Sequence, residues 1–147
     1  MTEQWIRWEP IVNFRGKHNI KSLLVAAENL FIELYSSKSN NHFQVELIFR
    51  MCDAYRQTTE GFRLGLFHEL SRNYPQGFYG DWTFFKVLHS NYLSWLMHNS
   101  SITLAQTNHY THFCLLGDDF VVDIISSEEP IVKLFDIAHN QVINKEV

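Results

Sequence analysis

Cysteine, proline and glycine are scarce in this sequence, and each shortage excludes something. The two cysteines, Cys52 and Cys114, sit in neither a CxxC pair nor a His-rich metal spacing. Two buried, reduced thiols are therefore expected, and a disulfide would need an oxidising compartment. With 3 prolines and 6 glycines in 147 residues, the chain has neither the composition of a disordered protein nor that of a linker-joined pair of domains. No apolar run reaches the ~18 residues of a membrane span. The stretch Met1 to Trp8 lacks the basic start and apolar run of a signal peptide, so a cytoplasmic location is expected, with no membrane partner. Lysine and arginine are missing altogether between Lys86 and Lys133, where Asp118, Asp119, Asp123, Glu128 and Glu129 occur. A surface of that sign repels phosphate backbones, which argues against a nucleic-acid partner. It attracts and steers a basic protein.

What is abundant is apolar and aromatic material, at 46% and 15% of residues. A chain of this length fits one domain and buries roughly two thirds of the surface it exposes when unfolded. The expectation is one α+β domain over residues 1–147, with an irregular N-terminal segment at 1–19 and a frayed tail at 140–147.

Periodicity supplies the elements. Leu23, Leu24 and Ala27 are spaced for a short helix over Lys21 to Asn29. Phe31 to Tyr35 and Phe43 to Arg50 alternate with period two, as strands of a hairpin do. Thr58-Thr59-Glu60 opens a helix carrying Phe62, Leu66 and Leu70, which ends before Pro75. Trp82 to Leu88 reads as a strand. Ser90 is placed to cap a well-buried helix over Asn91 to His98. Tyr110 to Leu116 and Phe120 to Ile125 read as strands joined by the tight loop Gly117 to Asp119, the second being central and covered. Ser126 with Glu129 resembles a capping box before a last helix carrying Ile131, Leu134, Phe135 and Ala138. The sum is a largely antiparallel sheet of about five to six strands with three to four packed helices.

No motif with catalytic or cofactor mechanics is present, so no cofactor and no metal are expected. His109 and His112, three apart on a strand, face opposite sides and are poorly placed to share an ion. His112 and Cys114 share a face, with Asp123 in the neighbouring strand. That is a conceivable nucleophile, base and orienter set, although a buried structural thiol reads better. Asp123 inside an apolar strand is costly unless paired. Its candidate partners are His112, Arg56, Arg63 or a backbone amide, and Arg56, His112 and Asp123 outline a candidate ligand pocket. The candidates for a protein contact are Asp118, Asp119, Glu128 and Glu129, with the loop aromatics Tyr79 and Trp82, for which an interaction hot spot and closure of the core are equally open readings.

Three stretches, Ala54 to Leu64, Asp81 to Leu96 and Thr111 to Pro130, together resemble a family of small bacterial proteins found as immunity or accessory proteins beside toxins. The resemblance spans about residues 54–130 and rests on core positions, so it carries over no functional residue. It implies a non-enzymatic protein that binds and neutralises a toxin domain, expected to be basic, through an acidic surface. The alternative is a small-molecule binder or minor enzyme with a pocket near Arg56, His112, Cys114 and Asp123.

Overall fold

Strand pairing organises this chain far more than its helical periodicities suggest. In a computed structural model, residues 2–11, 16–38, 42–101, 104–138 and 141–144 are described. They form two five-stranded antiparallel sheets. The first runs in the order β1 (Gln4–Arg7), β6 (Phe84–Leu88), β7 (Thr111–Leu116), β8 (Phe120–Ser126), β5 (Ala54–Thr59). The second runs β10 (Gln141–Asn144), β9 (Ile131–Asp136), β4 (Phe43–Phe49), β3 (Asn29–Ser36), β2 (His18–Ala26). The helical parts are a 3-10 turn at Glu60–Arg63, α1 (Leu64–Asn73), α2 (Asn91–His98) and the single turn α3 (Leu104–Thr107).

The fold class is thus mostly β, two sheets and short helices, not an α+β domain with one sheet and three to four packed helices. Two segments account for the difference. Residues Lys21 to Asn29 form most of β2 and its hairpin to β3, with Ala26 opposite Asn29. The two-residue turn puts Ala27 at φ 56°, a left-handed conformation usually advertised by Gly or Asn, so no turn signal was legible. Residues Ile131 to Asp136 form β9, paired with β4 along its length. Their i, i+3, i+4 pattern arises because Val132 points inward while Ile131 and Phe135 are partly covered on the outer face. The Ser126 hydroxyl accepts from Glu128 N–H, two residues on, at 3.2 Å, making a local turn where a capping box was expected. Within 1–19, Gln4–Arg7 forms β1 with Trp5 buried, and within 140–147, Gln141–Asn144 forms β10; residues 1, 12–15, 140 and 145–147 lie outside the described residues.

Other elements follow the pattern. The β3–β4 hairpin pairs Ile32 with Leu47 and Leu34 with Val45, and these four are fully buried. Phe113 of β7 meets Phe49 of β4 edge-on at 5.1 Å, so the two sheets pack face to face. The other face of the first sheet is covered by helices and by the aromatic loop after α1. There Trp5 and Phe78 lie against Phe85 at 5.8 and 5.2 Å. Helix α1 buries Phe67 and Leu70, while Phe62, turned out by the tighter 3-10 phase, is 88% exposed. Helix α2 buries only Tyr92 and is not the well-buried helix its composition implies; Trp95 is 61% exposed.

Candidate functional site

Register places the chemistry-bearing residues in one row. Arg7, Phe85, Cys114, Asp123 and Arg56 stand opposite one another on successive strands. Cross-strand partners share a face, so this row lies under the helices. His112 shares the face, two residues before Cys114. From above, β6 ends at Leu88, His89 takes φ 55°, and Ser90 starts α2. One left-handed residue turns strand into helix and brings the Ser90 hydroxyl down to the row.

The hydrogen bonds form a continuous relay. Ser90 Oγ lies 2.7 Å from His112 Nδ1. His112 Nε2 lies 2.7 Å from Asp123 Oδ1. Asp123 Oδ2 accepts from Arg56 Nε at 2.8 Å and Arg63 Nη1 at 2.7 Å. Ser90 Oγ also accepts from Leu93 N–H at 2.9 Å, capping α2. The network assigns the imidazole protons: Ser90 donates to Nδ1, and Nε2–H donates to the carboxylate. Tyr92 closes the top, its ring edge-on to His112 at 5.8 Å and under the Arg56 guanidinium at 4.1 Å. All three side chains named as candidate partners of Asp123 meet it.

Electrostatics agree with a built network. Burial alone would raise the Asp123 pKa. The His112 hydrogen bond and the two guanidiniums outweigh it and hold the carboxyl well below the usual carboxylate range. Burial, and then the Asp123 charge, push the Cys114 thiol well up. One carboxylate against two guanidiniums leaves the cluster net cationic when His112 is neutral.

Two kinds of chemistry can be weighed here. Ligand atoms of His112, Cys114 and Asp123 lie within 4.8 Å of one another, a spacing an ion can bridge. The donor set does not suit one: Asp123 already accepts from His112 and two guanidiniums, which an ion would have to displace or face. Serine, histidine and aspartate in hydrogen-bonded sequence match the composition of a hydrolase triad, with the two ring nitrogens interchanged. Yet Ser90, His112, Cys114 and Asp123 are 6%, 3%, 0% and 0% exposed. An open groove of about 540 Å³ reaches Ser90 and His112 from the side of Leu93, Met97 and Thr111. Serine 90 was legible only as a helix cap. Its meeting with His112 depends on β6 pairing with β7, which no local pattern announces.

The acidic candidates are not brought together. Asp118 and Asp119 are exposed in the β7–β8 turn, while Glu128 and Glu129 lie past the other end of β8. Glu128 pairs with Arg50 and Glu129 with Lys86. Tyr79 is half-buried, its hydroxyl 3.0 Å from Ser71 Oγ. Trp82 is 5% exposed and donates Nε1–H to Trp8 O, so it closes the core. Among the described residues no helix is long and apolar enough to cross a membrane. Compared with protein-family models, curated proteins and solved structures, the chain matches none.

Proposed function

We propose that this chain is a non-catalytic protein-binding protein of the immunity type, which occupies a toxin domain and blocks it in the cytoplasm. The observation that carries the reading is the closure of the Ser90–His112–Asp123 relay. The groups with catalytic potential are buried, bonded to one another and holding β5, β7, β8 and α2 together. Above them the surface has the makeup of an interface. Arg56 stacks on Tyr92, and Tyr92 stacks on Trp95 at 6.3 Å, with Trp95 61% exposed. Aromatic and arginine side chains of this kind anchor protein contacts. The toxin as partner is what the sequence resemblance supports. The separation of Asp118 and Asp119 from Glu128 and Glu129 moves weight from an acidic patch to this arginine-aromatic surface.

The test uses the purified chain as bait in extract of its native cells, beside Trp95→Ser and Arg56→Glu. The expected result is a stoichiometric partner whose toxic activity falls when the chain is added and which the variants hold less well. A captured partner whose activity is unaffected, or no partner, overturns the reading. One observation favours a second reading, a small-molecule binder or minor hydrolase: the groove beside Ser90 and His112. Covalent labelling of Ser90 by a fluorophosphonate, lost in Ser90→Ala, would establish it in place of the first.

A further inference from the structure

Four strands end the two sheets, and an open edge pairs with other chains unless it is blunted. Three of them are blunted. Strand β1 has four residues, and Trp5 N–H donates to the Tyr74 hydroxyl at 2.8 Å. Strand β2 is broken by a register shift between Ile20 and Ser22, which leaves Lys21 unpaired. Strand β10 has four residues and a shift between Val142 and Asn144. Strand β5 differs: Ala54 to Thr59 pair with β8 in unbroken register and contain no proline. The ladder continues with Glu60 N–H to Asp119 O at 2.9 Å. Hydrogen-bonded and outward residues alternate in an antiparallel pair. The backbone groups of Tyr55, Gln57 and Thr59 therefore face away from the sheet.

Charge selects what can pair there. In the middle of β5, Arg56 gives Nε–H to Asp123, and its side chain remains 42% exposed. Among the described residues this guanidinium makes no other hydrogen bond. Tyr92 beneath and Asp123 beside it fix its orientation. The strand ends are flanked by Asp53 and Glu60, so the cationic spot takes one acidic side chain, not a uniformly acidic segment. A second copy of this chain is disfavoured. Antiparallel pairing about Gln57 would set the two Arg56 side chains on a diagonal, roughly 7–8 Å apart, with both Arg63 groups close by. Four guanidiniums would then face two Asp123 carboxylates.

We propose that β5 is the docking edge: an extended segment of a partner protein adds as a sixth strand along Tyr55, Gln57 and Thr59, with one carboxylate side chain on Arg56. Backbone bonds give affinity in such an addition, and alternate side chains give specificity. This rests on the protein-binding reading above.

The probes are two heptapeptides of alternating threonine and valine, one with a central glutamate and one with a central lysine, titrated to millimolar concentration into isotopically labelled chain. The Tyr55, Gln57 and Thr59 amide signals are expected to shift, with the glutamate peptide binding at least about fivefold tighter. Arg56→Gln should remove that preference. Gln57→Pro, which deletes an outward N–H and leaves the β8 ladder intact, should abolish binding while the remaining spectrum is kept. Should Gln57→Pro unfold, the Arg56→Gln result decides alone. No shift, shifts centred elsewhere, or equal binding of both peptides overturns the proposal. So does a dimer by light scattering that Gln57→Pro or Arg56→Gln dissolves. A native partner held equally by wild type, Arg56→Gln and Gln57→Pro overturns the docking edge and leaves the protein-binding reading standing. Absence of any partner tells against that reading itself.

Discussion

At the scale of single residues, Asp123 matters most. It is 0% exposed and accepts from three side chains. Removing its charge leaves Arg56 and Arg63 facing each other, and breaking a buried pair in this way costs about 3–5 kcal/mol. Asp123→Asn is expected to lose that much in urea unfolding at pH 7; a change below about 1 kcal/mol would show the network to be dispensable. Cys114 is fully buried and Cys52 half-buried. Burial, ahead of an opposing hydrogen bond to Ala54, raises the Cys52 thiol to about 11, and thiols need the thiolate form to react. Iodoacetamide at pH 8 should leave both untouched in the native chain and modify both in urea. Rapid native alkylation of Cys114 would reopen a nucleophilic role. The need of Asp123 for a partner was legible in the sequence because a carboxylate interrupted an apolar strand. Which partners it found depended on β5 lying beside β8.

Elements show where local signals ended. Helix α2 was legible from Ser90 because capping is a local contact, three residues long. Ser90→Ala is expected to cost about 1–2 kcal/mol, measured by denaturant titration, since it removes both the cap and the donor to His112. A loss of a few tenths would mean that the cap is exposed and unsupported. The hairpin β2–β3 was illegible for the opposite reason. Its turn places Ala27 in a left-handed conformation with no glycine to announce it, and left-handed residues other than glycine carry strain of order 1 kcal/mol. Ala27→Gly should therefore stabilise by about 0.5–1 kcal/mol; a neutral or destabilising result would show that the strain is absorbed elsewhere. Strand β9 looked helical because apolar residues on both faces of a strand can imitate a 3.6 period over six positions.

For the whole molecule, two buried ionisable groups set the response to acid. His18 is 1% exposed, and burial, ahead of the opposing hydrogen bond to Gly16 O, lowers its pKa to about 4 from 6.5. Below pH 6.5 the unfolded chain takes up a proton that the folded chain refuses. Stability should therefore fall between about pH 6.5 and 4, by roughly 3 kcal/mol. The depressed Asp123 carboxyl acts in the adjoining window: its contribution is complete above about pH 4, the unfolded value, and is lost as pH drops further. Unfolding free energies measured from pH 7 to 3 should show both windows, with His18→Gln flattening only the upper one. An unchanged upper window in that variant would remove His18 from the account.

The sequence by itself determined that β3 and β4 alternate as a hairpin, that β7 and β8 are strands joined by a tight turn, and that Asp123 required pairing. Each follows from side-chain periodicity or local turn chemistry within a few residues. Only the tertiary structure decided that there are two sheets, that β2 and β9 are strands, and that Ser90, His112, Asp123, Arg56 and Arg63 meet. These rest on pairings between segments such as β4 with β9 and β5 with β8. Their stabilisation comes from a neighbouring strand far along the chain, and local propensity is too weak to specify it. The same long-range pairing leaves β5 at an edge, the surface proposed for docking.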